Sequence, residues 1–296
     1  MKRIIAIAAV LGLGLAACSD DDPLESGGEQ QADAIVIGSQ DYYSNEIIAE
    51  IYAQALEAEG YEVKRDFRIG QREAYVPDIE SGEIDLFPEY SGPLLRYWEG
   101  ETDVREADEV YEALGGAAPD GIRLLDYSPA TDQDAYFVTT EFAEEWGLES
   151  LADLADVDVP IVIGGNSELE TRPNGPDGLK EFYGVDVGFT PIEDGGGQLT
   201  VNALEADDIQ MALIYTADPK IADLDIVMLE DTENMFLASH VVPIASENVD
   251  EGAEEIINRI SAAMDTDALV ALNARSVNEQ LPASTIAADW LAEQDL

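Results

Sequence analysis

Ala34-Ile35-Val36-Ile37-Gly38 runs into Ser39-Gln40-Asp41-Tyr42-Tyr43-Ser44, and then into a segment with apolar residues at Ile47, Ile48, Ile51, Tyr52, Ala55 and Leu56. The first stretch is short, uninterrupted and β-branched, the pattern of a strand buried on both faces. The last repeats in steps of three and four, which places its apolar side chains on one face of a helix. Ser44 stands where a capping hydroxyl is expected, and Gly60 marks the stop. A buried strand feeding an amphipathic helix is the building unit of an α/β fold.

The alternation continues outward from this unit. Further strands are expected at residues 63–69, 84–87, 122–125, 136–139, 160–164, 209–214, 226–229 and 241–244, with helical patterns between most of them. Helices at 251–264, 268–278 and 284–292 close the chain. Strand and helix in turn imply mostly parallel sheets covered by helices on both faces. Two such lobes joined by crossing strands leave a cleft, and ligands of open α/β sheets sit beyond the carboxyl ends of strands. Gln40-Asp41-Tyr42, Pro88-Glu89-Tyr90-Ser91-Gly92 and Tyr215-Thr216-Ala217-Asp218 occupy such places.

The beginning of the chain has a different character. Lys2 and Arg3 precede an apolar run over 4–17, too short to cross a hydrocarbon layer of about 30 Å. The order of cations, apolar run and small residues is that of a secretory signal. Leu15-Ala16-Ala17-Cys18 resembles a bacterial lipobox, which implies cleavage before Cys18, lipid on its thiol and anchorage at a membrane facing the periplasm or cell exterior. Residues 1–17 are thus expected to be the signal and 18–32, polar and Gly-containing, a flexible tether. Cys18 is the only cysteine, so no internal disulfide can form.

Removal of the signal would leave 12 cations against 64 acids, a net charge of −52. With 46% apolar residues and clear periodicity, these acids belong on the surface of a folded protein rather than in a disordered one. Nucleic acid is excluded as a partner, because phosphate binding needs clustered cations. A salty medium, in which repulsion is screened, suits such a surface. Catalytic and metal chemistry find little to work with. His240 is the only histidine, and Gly195-Gly196-Gly197 lacks the Lys-Ser/Thr of a phosphate loop and reads as a flexible turn. Neither a cofactor nor a metal is expected.

Ser81-Gly82-Glu83-Ile84-Asp85-Leu86-Phe87-Pro88-Glu89-Tyr90-Ser91-Gly92, with Ile37-Gly38-Ser39 before it, resembles the substrate-binding proteins of glycine betaine/choline osmoprotectant ABC importers. The resemblance continues in order through Asp132-Gln133-Asp134-Ala135-Tyr136, Thr171-Arg172-Pro173, Tyr215-Thr216-Ala217-Asp218, Leu229-Glu230-Asp231 and Val242-Pro243. It implies a two-lobed periplasmic-binding-protein-like fold of type II that closes on a small solute and delivers it to an ABC permease, without catalysis and as a monomer. Residues 33–136 with 240–296 would form one lobe and 137–239 the other.

By the same resemblance, Tyr90, Tyr136 and Tyr215 match aromatics that cage a quaternary ammonium, and Asp134 an acceptor facing the cation. Arg172 matches the arginine that takes a ligand carboxylate, although a surface salt bridge would equally account for it. Tyr90 and Tyr136 could instead be packing residues, and Ser91 either bonds the ligand tail or caps a helix. There are departures as well. Val201 stands where a fourth cage wall is frequent, leaving Tyr42, Tyr43 and Tyr75 as replacements. Gln40 replaces an amine-bearing residue, and Ser239-His240 stands where relatives carry Tyr, so His240 either lines the cleft or is structural. Arg72-Glu73 marks a divergent branch. An amino acid or another zwitterion is therefore a second candidate ligand, and a surface lipoprotein enzyme a remote alternative.

Overall fold

The computed structural model describes residues 34–100 and 102–294. The signal, the tether and Cys18 lie outside them. In chain order the elements are β1 (Ile35–Gly38), α1 (Tyr43–Ala58), β2 (Val63–Asp66), α2 (Arg72–Ser81), β3 (Leu86–Tyr90), α3 (Ser91–Glu99), α4 (Ala107–Ala117) and β4 (Arg123–Leu124). There follow β5 (Asp134–Thr139), α5 (Thr140–Trp146), β6 (Val162–Gly165), α6 (Pro176–Tyr183), β7 (Gly188–Pro191), α7 (Gln198–Glu205), β8 (Met211–Tyr215) and β9 (Ile226–Met228). The last four are β10 (Val241–Ala245), α8 (Glu251–Ala263), α9 (Thr266–Val277) and α10 (Ala283–Glu293).

The strands form two five-stranded sheets, ordered β2-β1-β3-β10-β4 and β7-β6-β8-β5-β9. Each sheet is mixed rather than mostly parallel. β1 pairs in parallel with β2 and β3, whereas β10 runs antiparallel to β3 and β4. The second sheet repeats this, with β6 parallel to β7 and β8, and β5 antiparallel to β8 and β9. The reason lies in the connections. β5 and β10 are the strands by which the chain enters a sheet from the other one, through residues 125–133 and 229–240. A strand that starts at the crossing must run against strands that end there. β5 begins at Asp134, so residues 134–136 travel with the second sheet.

Alternation along the strands builds a core on each face. In β10, Val241 and Ala245 join α1, α8, α9 and α10, while Val242 and Ile244 join α2, α3 and α4. In β5, Tyr136 and Val138 face one cluster of the second sheet, and Ala135 and Phe137 the other. All of these side chains are buried. Edge strand β7 shows no apolar run and is half exposed, which is why periodicity does not reveal it.

The first helix departs from expectation at its start. Tyr42, not Ser44, is the residue before α1 and offers no side-chain cap. Asn45 fixes the turn instead: its Oδ1 accepts from the Gln40 N–H at 2.8 Å and its Nδ2 donates to the Pro88 carbonyl at 2.6 Å. The stop is as expected, with Gly60 just past the helix at φ 91°.

Candidate functional site

The strand ends converge on one cavity. Gln40 and Tyr42 come from the turn after β1, Tyr90 closes β3, and Tyr215 closes β8. Asp132 lies on the crossing into β5 and Asp134 opens that strand, paired in register with Tyr215. Arg72, Pro93 and Arg172 complete the lining around about 350 Å³ of atom-free space, part of it open to solvent.

One end is aromatic and anionic. The rings of Tyr42 and Tyr215 lie 4.8 Å apart at 54°, and Tyr43 packs behind Tyr42 at 4.8 Å and 60°. Burial, with Asp132 adding to it, pushes the phenols of Tyr42 and Tyr90 up, so both rings stay neutral and keep electron-rich faces. Gly195, at φ 62°, brings its turn against both Tyr215 and Tyr42, where a Cβ would stand 3.6 and 3.8 Å from the rings. The Gly195–Gly197 segment expected as a turn thus backs this wall.

Asp132 is a buried carboxyl at this end. Its Oδ1 accepts from the Ala217 N–H at 2.9 Å, while its buried Oδ2 has no hydrogen-bond partner. Burial pushes the carboxyl up to about 7, reinforced by repulsion from Asp134 and opposed by the Ala217 N–H. A cation beside it would favour its ionised form. Asp134 is also raised by burial, but Arg172 and Arg72 pull it back and Asn174 Nδ2 donates to its Oδ2 at 2.9 Å.

The other end is cationic. Arg72 donates from Nε and Nη2 to the two oxygens of Glu89, at 2.7 and 3.0 Å. Glu89 also accepts from the Tyr75 hydroxyl at 2.7 Å and from the Tyr90 N–H at 2.6 Å. One fully buried carboxylate therefore fixes both Arg72 and the backbone of Tyr90. Burial works against the charge on Arg72, yet Glu89 beside it holds the guanidinium protonated. Arg172 leans on Glu73, Nη2 to Oε2 at 3.0 Å, and is opposed by burial and by Arg72. Two guanidiniums share one cavity, each with a carboxylate behind it.

Of the residues the sequence pointed to, Gln40, Tyr90, Asp134, Arg172 and Tyr215 line this cavity. Three do not. Tyr136 is fully buried in the core of the second sheet, its hydroxyl donating to the Asn174 carbonyl at 2.7 Å and its ring against Phe236. Ser91 donates to the Ala238 carbonyl at 3.1 Å and accepts from the His240 N–H at 3.1 Å, tying α3 to the returning crossing. His240 packs on the Tyr127 ring, 5.1 Å between centroids, with Nδ1 at 2.8 Å from the Ser128 carbonyl. Val201 is a core residue, whereas Tyr42 lines the cavity. Tyr75 sits behind Glu89, stacked on Phe87 at 4.2 Å. Asp132 and Arg72 were not singled out as binding residues, although both lay inside quoted motifs. Among the described residues no cluster of three or more metal-ligating side chains occurs.

Residues 33–293 match the family described as the substrate-binding domain of ABC-type glycine betaine transport systems. The glycine betaine-binding protein YehZ of Escherichia coli is 24% identical over 280 residues, 90% of this chain and 92% of that one. The glycine-betaine-binding protein of Pseudomonas aeruginosa is 26% identical over 286 residues, 92% of each. A crystal structure titled as a glycine betaine/carnitine/choline ABC transporter has the same fold. It gives a TM-score of 0.69 at 20% identity, over 88% of this chain and 98% of that one.

Proposed function

The chain belongs to the family of substrate-binding domains of ABC-type glycine betaine transport systems, and from that premise we propose that it captures a small quaternary-ammonium zwitterion of the glycine betaine type. The observation that carries this reading is the polarity of the cavity: Tyr42, Tyr90, Tyr215 and Asp132 at one end, Arg72 and Arg172 at the other. A trimethylammonium group cannot donate a hydrogen bond, so aromatic faces and a nearby carboxylate are what can hold it. A carboxylate suits paired guanidiniums. Choline has the first group and lacks the second, so it leaves the arginine end unanswered.

The two sheets are the cores of two lobes that close over the solute. The lobes exchange chain at the crossings between β4 and β5 and between β9 and β10. Closure follows from contacts that exist only when both lobes touch the ligand. No chemistry on the solute is needed, since its release to the permease completes the task. The lipobox-like segment around Cys18 supports retention at the membrane beside that permease, with the protein acting as a monomer.

Calorimetric titration with glycine betaine, choline and glycine tests the proposal. Glycine betaine is expected to bind more tightly than choline. Failure of every quaternary amine to bind below about 1 mM, near −4 kcal/mol, would overturn it. One observation favours a second reading: Asp132 Oδ2 is a buried acceptor without a donor, which a primary ammonium could satisfy. If trimethylation of glycine abolishes binding, the ligand is an amino acid.

A further inference from the structure

The two arginines of the cavity are held by the same atoms. Each gives its Nε and Nη2 to a carboxylate, Arg72 to Glu89 and Arg172 to Glu73. That is one edge of the guanidinium fork, and Nη1 lies at the far corner. In both arginines Nη1 makes no hydrogen bond to any described residue. A ligand carboxylate can therefore be met at that corner while the first edge stays engaged.

The supporting carboxylates differ in where they come from. Arg72 and Glu89 are both buried on the first sheet's side, in α2 and β3. Glu73 also belongs to α2, which packs on the first sheet through Tyr75, Val76 and Ile79. Arg172 lies between β6 and α6, where Leu169 and Leu179 enter a core of the second sheet. The 3.0 Å bond between Glu73 and Arg172 thus spans the two sheets. Glu73 lines only the outer part of the cleft, whereas Arg172 lines both that part and the inner cavity. The guanidinium is backed from the solvent side and left open on the inner one. Burial and repulsion from Arg72 oppose a second cation here, and Glu73 offsets them.

We propose that Glu73 is a positioning residue for Arg172, which makes the carboxylate end of the site complete only when the two lobes are together. This rests on the zwitterion reading above and deepens it. Arg72 is set in advance within one lobe, while Arg172 is set by closure. With the lobes parted, Arg172 loses both its counter-ion and its aim. A simple tie between lobes would favour every ligand equally. A positioned arginine favours those that carry a carboxylate.

Calorimetry of the purified protein with glycine betaine and choline tests this. Glu73→Gln, at an exposed position, should cost glycine betaine at least about fivefold more affinity than choline, the scale of one charge-assisted hydrogen bond. Glu73→Asp keeps the charge and should recover part of that loss. Should choline be too weak to titrate, glycine betaine decides alone: a loss in the glutamine variant with recovery in the aspartate variant supports the role, and unchanged affinity overturns it. Equal losses for both ligands would reduce Glu73 to a tie and overturn the proposal. Tighter glycine betaine binding would overturn it too, by making Glu73 a competitor for Arg172. These contrary results leave the proposed function standing, whereas binding of neither ligand by the parent removes both.

Discussion

Arg72 and Glu89 meet through two nearly parallel hydrogen bonds of 2.7 and 3.0 Å, with side-chain exposures of 9% and 0%. Removing one charge from such a pair leaves the other buried without compensation, which costs about 3–5 kcal/mol. Glu89→Gln is therefore expected to lower unfolding free energy by that order, measured by urea denaturation. It should also weaken ligand binding, because Tyr90 loses its backbone anchor together with the arginine.

Cage contributions separate by which part of each tyrosine is removed. A cation on a desolvated aromatic face is worth about 0.5–2 kcal/mol. Tyr42→Ala or Tyr90→Ala should weaken binding of a quaternary ammonium by about 2- to 30-fold, a loss read by calorimetry. Tyr90→Phe keeps the face and removes a hydroxyl that has no hydrogen-bond partner, so it should bind like the parent. Tyr136→Phe, far inside the second core, should affect stability and leave affinity alone.

Asp132 gives the protein a pH response of definite sign. Its carboxyl is raised to about 7, mainly by burial. Between the ordinary carboxylate range and pH 7 the folded protein thus holds a proton that the unfolded chain has lost. Stability without ligand should fall as pH rises through that window and level off above it. Ligand affinity should move the opposite way, rising with pH as the carboxylate forms. Asp132→Asn is expected to flatten the stability profile and weaken cation binding at pH 8, checked by melting curves and titrations from pH 5 to 8.

Salt should stabilise the fold. Fourteen cations cannot neutralise 64 acids, and repulsion between exposed charges is cut as the screening length shrinks from about 10 Å at 0.1 M to about 3 Å at 1 M. The melting temperature is expected to climb steadily between those concentrations, with sodium chloride as the probe. A flat profile would count against a surface set for brine.

The architecture was largely legible because each buried strand carries its own apolar run and the helices their three-and-four spacing. What the pattern could not convey was direction. Nothing in Val241–Ala245 or Asp134–Thr139 says that these strands begin at the crossing, and that is what turns half of each sheet antiparallel. The site was legible at strand ends, where Tyr90 and Tyr215 lie. It failed two residues deeper. Asp134 and Tyr136 share a face of β5, yet Asp134 borders the cavity and Tyr136 is core, because alternation fixes a face and not how far the cleft reaches along it. Asp132 and Arg72 escaped for another reason: their roles depend on burial by distant segments, Ala217 for one and Glu89 for the other.

The ring contact between Tyr42 and Tyr215 also bears on how the two sheets are held to each other. Tyr42 rides on the turn after β1 and Tyr215 on the end of β8, so their 4.8 Å contact joins the two sheets. Gly195 stands close to both rings, at 3.6 and 3.8 Å from where its Cβ would be. The two rings are thus a latch as well as a wall, and a change that loosens one use loosens the other.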